Sequence, residues 1–184
     1  MLTDRFPDVV VTAVASTTAL APDAEDTWQQ LQQGASGIRT IDVPAIGEFE
    51  SPVRIGGRLT ESLDEHLDRV ERRPTSYMQK MSTVLGRRLW EAAGSPEIDT
   101  KRLVVSVGLA LGSTEEIPVQ HDAWREKGLR AVSPLTVQMY MPNGPAAAVG
   151  LDHQAKGGII SPVMADASGA AAIAYAWRHL ILGE

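Results

Sequence analysis

The sequence predicts an α/β fold in which helices pack on a mostly parallel sheet. Short β-branched and apolar runs, typical of strands that are buried on both faces, alternate with segments long enough for helices. Strands separated in this way favour parallel pairing through helical connections. The 184 residues, 43% hydrophobic and 22% charged, suffice for one sizeable core, so we expect a single domain over residues 1–184.

The strand predictions come from runs rich in valine and isoleucine. The run that begins at Val9 is short and β-branched, and a similar run begins at Leu103. A third apolar run precedes a turn of small residues near the end of the sequence. The predicted strands are residues 9–15, 103–109 and 158–164, with a shorter one at residues 53–57.

The helix predictions come from apolar residues at helical spacing and from start and stop signals. The longest predicted helix carries Tyr77, Met81, Leu85 and Leu89 at four-residue spacing and has Gly94 as its stop. Another is predicted to begin after an N-cap serine followed by proline. The predicted helices are residues 23–33, 60–69, 75–93, 114–127, 134–141, 143–151 and 169–182, and residues 40–52 are predicted to be irregular.

Charge and composition exclude several classes of function. The formal net charge is −6, which argues against a nucleic-acid partner. No apolar run is long enough to cross a bilayer and the first eight residues lack a secretory signal, so we expect a cytoplasmic protein without a membrane partner. Cysteine is absent, which excludes disulfides, thiolate metal sites and thiol nucleophiles. We assign no metal and no cofactor.

Five blocks carry a family resemblance. The last is an apolar strand, a turn that reads Ala165-Asp166-Ala167-Ser168-Gly169 and a helix. The others are residues 9–20, 36–39, 107–112 and 133–144. In this order the blocks resemble the β-ketoacyl-acyl carrier protein synthases of the thiolase superfamily. Ala110 departs from the glycine usual in the third block. Residues 77–97 and 133–150 look closest to the mycobacterial synthases that extend mycolic acid precursors.

The resemblance implies a thiolase-like fold, of which this sequence matches the N-terminal half. That fold has two similar halves packed as layered α/β. Family members accept the acyl chain on a cysteine. Two histidines and a Gly-Phe-Gly segment of the C-terminal half assist decarboxylation and stabilise the oxyanion. The 184 residues contain no match to that second half.

Asp166 occupies the position where the family has its nucleophilic cysteine. A carboxylate would have to form a mixed anhydride from a thioester, and this uphill product hydrolyses readily, so Asp166 is a poor acyl acceptor. The first interpretation is that Asp166 is an N-cap of the following helix. A second is that its charge mimics an acylated or oxidised cysteine and favours decarboxylation without condensation. A third is that the aspartate was introduced to abolish acylation.

The remaining polar candidates have simpler interpretations. The four histidines match none of the family's catalytic motifs and are expected at the surface. Asp64, His66 and Asp68 do not share a helix face, so we predict no metal site there. Ser168 lacks a neighbouring base in the sequence, and we expect its small side chain to permit tight packing. The histidines are His66, His121, His153 and His179.

Apolar residues of the long helix have a structural and a functional interpretation. The pair Met78 and Met81 is expected to fill the core. By analogy with the family, Met81 and Leu85 are also candidates to line the acyl tunnel or a dimer contact.

Three functional hypotheses follow from the resemblance. The first is an N-terminal synthase half of fatty acid or mycolic acid elongation that is silent by itself. Its partners would be acyl carrier protein and either a second copy or a C-terminal-half chain, because half a fold exposes an apolar surface. The second is a malonyl-carrier decarboxylase completed by a second chain. The third is a non-catalytic pseudo-synthase that binds acyl carrier or regulates a synthase. A remnant or truncated chain without a role is the simplest alternative.

Overall fold

The structure is a computed structural model, and it describes residues 7–42, 51–73 and 75–184. Within these ranges the chain forms α-helices, four short strands and several 3-10 turns. In chain order the helices and strands are α1 (Ala24–Gln32), β1 (Ile38–Thr40), β2 (Ile55–Gly57), α2 (Arg69–Arg72), α3 (Tyr77–Ala92), β3 (Val104–Ser106), α4 (Glu116–Lys127), α5 (Thr136–Tyr140), α6 (Gly144–Asp152), β4 (Gly158–Ile160) and α7 (Ser168–Leu182). The 3-10 turns are Leu63–His66, Thr100–Arg102, Leu129–Ala131 and Ala165–Ala167.

The strands form two small sheets in the described part of the chain. β3 and β4 are parallel, with Val105 opposite Ile159. Their pairing continues past the strands, because Leu109 donates its backbone N–H to the carbonyl of Pro162 at 3.1 Å. β1 and β2 form an antiparallel pair. The predicted parallel arrangement is therefore present as one parallel pair, and the predicted strand at residues 53–57 is confirmed as β2.

The predicted strand at residues 9–15 is wrong for this structure. These residues form no strand, and three valines of the run face solvent, with Val10 74%, Val11 84% and Val14 68% exposed. A strand exists only where a second strand supplies the partners for its backbone groups. Residues 43–50, which fall in the segment predicted to be irregular, lie outside the described residues.

Side-chain capping explains where α1, α2 and α3 begin. The side chain of Asp23 accepts the backbone N–H of Asp26 and starts α1. Ser76 and Gln79 form a reciprocal capping box at the start of α3. The helices predicted over residues 23–33, 75–93, 114–127, 143–151 and 169–182 are confirmed with small shifts at their ends.

Two helix predictions need correction. Residues 60–69 form the 3-10 turn Leu63–His66 instead of a continuous helix. A new helix, α2, then begins because the Asp68 side chain accepts the N–H groups of Val70 and Glu71. The helix predicted after Ser133 starts at Thr136, since the Ser133 hydroxyl accepts the N–H of Leu135 in a turn.

The hydrophobic core is small and lies beside α3. Leu63, Leu67 and Val84 form its buried cluster, and Leu59 and Met81 pack against it. The core-filling prediction for Met81 is therefore confirmed. Elsewhere apolar residues at helical spacing remain exposed, including Trp28 of α1.

Much apolar surface faces solvent. The accessible surface is 12896 Å², whereas a compact protein of 19.8 kDa exposes about 8,600 Å². On α7, Ile173, Trp177 and Leu180 are 74%, 47% and 59% exposed. Among the helices that the structure describes, none is long and apolar enough to cross a membrane.

Candidate functional site

The candidate site is the turn between β4 and α7, which carries Asp166. Ala165 adopts the left-handed conformation, with φ of 48°, and the 3-10 turn Ala165–Ala167 follows. A non-glycine residue in this conformation costs free energy and persists only where its surroundings enforce it. The N–H of Ala167 donates to the carbonyl of Met164 at 3.0 Å and closes the turn.

Ser168 binds this turn to the segment that follows β3. Its side chain is 3% exposed. The hydroxyl accepts the N–H of Met164 at 2.8 Å and lies 2.9 Å from the carbonyl of Leu109 and 2.7 Å from that of Ala165. A hydroxyl has one hydrogen, so it donates to one of these carbonyls or divides its bond between them. The prediction that Ser168 merely permits tight packing missed this role.

The first turn of α7 contacts the backbone of the segment that follows β3. A Cβ added to Gly108 would lie 2.1 Å from the backbone carbonyl oxygen of Ser168, which no real contact allows. Close approach of two backbones is a reason for glycine at this position. Further along, the Ser106 hydroxyl donates to the carbonyl of Ala172 at 2.8 Å. The helix is thus held against this segment by a close backbone contact and by hydrogen bonds from two hydroxyls to backbone carbonyls.

Asp166 lies exposed on this turn. The interpretation of Asp166 as an N-cap is wrong, because the N-cap of α7 is Ala167 and no side chain caps the helix. Asp166 belongs to the 3-10 turn one residue earlier, which removes it from the cap position. Its carboxylate makes no hydrogen bond or ion pair with any residue that the structure describes.

The histidines are dispersed and lie away from the turn. His66 Nε2 lies 2.8 Å from a carboxylate oxygen of Glu61, and His179 Nδ1 lies 3.3 Å from Glu184. The ring of His153 stacks on Trp90 with centroids 4.6 Å apart. Its side chain is only 14% exposed, so the prediction of a surface position is wrong for His153. His121 is exposed beside Asp122, as predicted.

The three residues considered for a metal site have separate partners. Lys80 pairs with Asp64 at 2.8 Å, His66 contacts Glu61, and Asp68 caps α2. Over residues 7–42, 51–73 and 75–184 the structure contains no cluster of three or more metal-ligating side chains.

Glu61 is the centre of a charged cluster beside the core. Both of its carboxylate oxygens accept from Arg88, at 2.8 and 2.6 Å, and one accepts from Thr17 at 2.7 Å. These bonds, with that of Arg88 first, outweigh the effect of burial and lower the pKa of Glu61 to about 2. The cluster joins the N-terminal segment to α3, far along the chain from Asp166, and is structural.

Two cavities open elsewhere on the described surface. One, of about 580 Å³, lies between Ala19, Arg58 and Tyr77, and Met81 lines it. The other, of about 740 Å³, lies between α3 and the α5–α6 segment. Asp166 lines neither of them.

Comparison with known proteins defines the class to which this fold and turn belong. The family model for the β-ketoacyl synthase N-terminal domain matches residues 7–184. The chain therefore belongs to the β-ketoacyl synthase family, as an N-terminal domain. The resemblance inferred from five sequence blocks is confirmed.

A curated relative gives a more specific comparison within the family. It is 61% identical over 179 residues to 3-oxoacyl-[acyl-carrier-protein] synthase 2 of Mycobacterium leprae. The match covers 97% of this chain and 43% of that protein. The chain thus spans less than half the length of the relative, which agrees with the predicted half of a two-half fold.

Solved structures share the fold. The chain matches the ishigamide ketosynthase/chain length factor with a TM-score of 0.78 at 16% identity, over 95% of this chain and 44% of that one. It also matches a structure of a type II PKS acyl-carrier protein in complex with its ketosynthase. The TM-score of this match is 0.71 at 17% identity, over 95% of this chain and 47% of that one. These neighbours confirm the half thiolase-like fold.

Proposed function

We propose that this chain is the N-terminal half of a β-ketoacyl-acyl carrier protein synthase and that residue 166 does not take up an acyl group. The observation that carries the proposal is the turn itself. It presents residue 166 at the surface, where the family resemblance implies an acyl acceptor, and the residue is an aspartate in a sequence without cysteine. The 184 residues act as one domain in this proposal.

The chemistry of the carboxylate supports inactivity in condensation. A thiolate that attacks an acyl-carrier thioester forms another thioester and releases the carrier thiol, so the bond energies match. A carboxylate would form a mixed anhydride, which is higher in energy and reacts with water. The histidines that the resemblance implies for the later steps have no counterpart in these residues.

The exposed surface supports a protein partner. The chain exposes about 4,000 Å² more than a compact protein of its mass, which exceeds the roughly 1,000–2,500 Å² that each partner buries in an obligate interface. Val10, Val11 and the outer face of α7 are parts of this surface. We propose that a C-terminal-half chain covers it, and that β4 takes part in a homodimer.

The acyl carrier protein is proposed as the second partner. A solved neighbour is described as an acyl-carrier protein in complex with its ketosynthase, which supports carrier binding by this fold. The similarity to the mycobacterial relative favours acyl chains of fatty acid or mycolic acid elongation.

Acyl transfer to residue 166 is tested by intact-mass measurement. After incubation with acyl-carrier thioester, the unaltered chain should gain no acyl mass. Asp166→Cys should gain one acyl group, and Ala170→Cys, an exposed control on the first turn of α7, should gain much less. An acyl adduct on the unaltered chain that Asp166→Ala removes would contradict the proposal.

Association is tested by size-exclusion chromatography with mass detection. The chain should form a dimer or a complex when a C-terminal synthase half is added. A soluble monomer that stays a monomer with every such half contradicts this part of the proposal.

A second candidate function is decarboxylation in the completed assembly. The free carboxylate of Asp166 on the turn favours it, because its charge resembles that of an oxidised cysteine. Malonyl-carrier would lose carbon dioxide, and the resulting carbanion would take a proton to give acetyl-carrier. Carbon dioxide release by the assembly, lost in Asp166→Ala, supports this function, and its absence with every partner removes it.

A third candidate is a non-catalytic module that binds carrier or regulates a synthase. The fold that it shares with the ishigamide ketosynthase/chain length factor favours this candidate. Binding to carrier without acyl transfer or decarboxylation distinguishes this pseudo-synthase from the second candidate.

A further inference from the structure

The hydroxyl of Ser168 is buried and connects two backbone groups, the N–H of Met164 and the carbonyl of Leu109. The N–H of Met164 donates to this hydroxyl at 2.8 Å. Because the carbonyl of Ala165 already accepts the backbone N–H of Ser168, we assign the hydroxyl hydrogen to the other acceptor, the carbonyl of Leu109. Leu109 is 6% exposed, and buried carbonyl groups are almost always hydrogen-bonded.

Both backbone groups of Leu109 are therefore hydrogen-bonded to residues that flank the turn, one before it and one after it. Its N–H donates to the carbonyl of Pro162 before the turn, and its C=O accepts from Ser168 after it. Between these two bonds lies Ala165 in the left-handed conformation. A strained residue is maintained when the surrounding bonds leave no alternative.

Gly108 allows this arrangement. Only a residue without Cβ lets the Ser168 backbone come so close to the strand end. The hydroxyl of Ser168 is thus placed within reach of Leu109 by backbone contact, and the turn cannot move without breaking it.

We propose that Ser168 is a positioning residue, whose hydroxyl joins the segment that follows β3 to the amide of Met164 and so fixes the place of the side chain at position 166. The inference rests on the proposed function only in taking position 166 as the place where the family resemblance implies an acyl acceptor. Ser168 itself neither accepts an acyl group nor transfers a proton in this scheme.

The test uses a thiol as the probe at position 166. Since the chain has no cysteine, Asp166→Cys introduces a single thiol, whose alkylation by iodoacetamide is measured against pH. A thiol held beside the start of a helix ionises more readily than a free one. Adding Ser168→Ala should slow alkylation at pH 7 by about threefold to tenfold and move the profile towards an ordinary thiol pKa of about 8.5.

Ser106→Ala is the matched control. It also removes a hydroxyl that donates to a carbonyl of α7, at Ala172, but it does not touch the turn. It should leave the alkylation profile of Asp166→Cys unchanged. Identical profiles for Ser168→Ala and Ser106→Ala, in proteins with the same helical circular dichroism, would overturn the inference.

If Ser168→Ala does not fold, a second measurement tests the inference. Amide hydrogen exchange in the unaltered chain should show the Met164 N–H protected, although it belongs to no helix or strand. Exchange at the rate of a free amide would overturn the inference. Neither measurement needs carrier or partner, so failure of the proposed function and failure of this inference are separate outcomes.

Discussion

Two regions of the molecule are held together by different forces. The α3 region, which comprises residues 59–88 and α6, has a buried apolar cluster and several ion pairs. Arg87 of α3 pairs with Glu71 at 2.5 Å and with Asp152 at 2.6 Å. The α7 region, which comprises residues 103–112 and 158–182, relies on strand pairing, hydroxyl-to-carbonyl hydrogen bonds and a close backbone contact, and the large apolar side chains of α7 are mostly exposed.

The difference indicates which region is complete in this chain. Apolar side chains contribute to folding only when water is removed from them. The α3 region buries Leu63, Leu67 and Val84 with its own residues, whereas the α7 region leaves Ile173, Trp177 and Leu180 uncovered. The α7 region therefore holds its turn in place by polar contacts while its apolar face stays available to a partner.

Truncating leucine in each region gives the largest expected difference. Leu63→Ala removes a side chain that is 4% exposed and should lower the free energy of unfolding by about 2–5 kcal/mol. Leu180→Ala, at 59% exposure, should change it by about 0.5 kcal/mol or less. Urea unfolding of the isolated chain measures both.

For association with a partner half we expect the opposite order, with a larger effect of Leu180→Ala than of Leu63→Ala. Leu180→Ala should weaken association with a partner half, because hydrophobic contacts at a buried interface contribute to binding. Equal losses of stability for the two leucines in the isolated chain would contradict the contrast between the regions.

A pair of glycine substitutions tests the backbone contact of the α7 region. Gly108→Ala should destabilise the fold by about 1–3 kcal/mol, because its Cβ would overlap the carbonyl of Ser168. Gly169→Ala adds a methyl that meets nothing within 4 Å. In helix α7 it should be neutral or stabilising by up to about 1 kcal/mol. Thermal unfolding compares the two, and similar melting temperatures would rule out the close contact.

Acid should affect the α3 region through Glu61. A carboxyl whose pKa is lowered in the folded state stabilises it above its ordinary pKa, and this contribution is lost as pH falls. With a pKa of about 2, this loss falls between pH 4.5, the ordinary pKa of the group, and pH of about 2. Glu61→Gln should therefore cost about 2 kcal/mol at pH 7 and little at pH 2.

Unfolding free energies measured at several pH values test this dependence. The control is Glu65→Gln, exposed in the adjacent 3-10 turn, which should follow the unaltered protein across the same range. A cost for Glu61→Gln that is independent of pH would assign its effect to lost packing instead of charge.

The smallest expected difference in stability is between variants of the N-cap residue of α1 and of the residue at the candidate site. Asp23→Ala removes the bond to the Asp26 amide, 2.8 Å long, and should cost about 1 kcal/mol. Asp166→Ala removes no such bond and should change stability by about 0.5 kcal/mol or less. Thermal melts distinguish them, and a larger loss for Asp166→Ala would restore the cap interpretation.

Local signals in the sequence predicted the helices well. Asp23 and Ser76 accept nearby backbone N–H groups, and Gly94 adopts φ of 81° just after α3. These interactions lie within a few residues of one another. They are decided by the local sequence, and so the ends of α1 and α3 were within reach of prediction.

Strand and site predictions failed where distant residues decide the outcome. Residues 9–15 have the composition of a strand but no partner strand among the described residues. Ser168 was judged from its sequence neighbours, whereas its role depends on Leu109, 59 residues away. The small-residue turn and Gly108 were the available signals, but neither indicates which carbonyl the hydroxyl reaches.

The sequence by itself determined the family, the order of most helices and the absence of a thiol. The tertiary structure decided that Asp166 lies exposed on a 3-10 turn, that Ser168 binds that turn to the segment after β3 and that α7 keeps its apolar face exposed. The reason is physical: capping and composition act over a few residues, whereas strand pairing, buried hydrogen bonds and surface coverage depend on segments that meet only after folding.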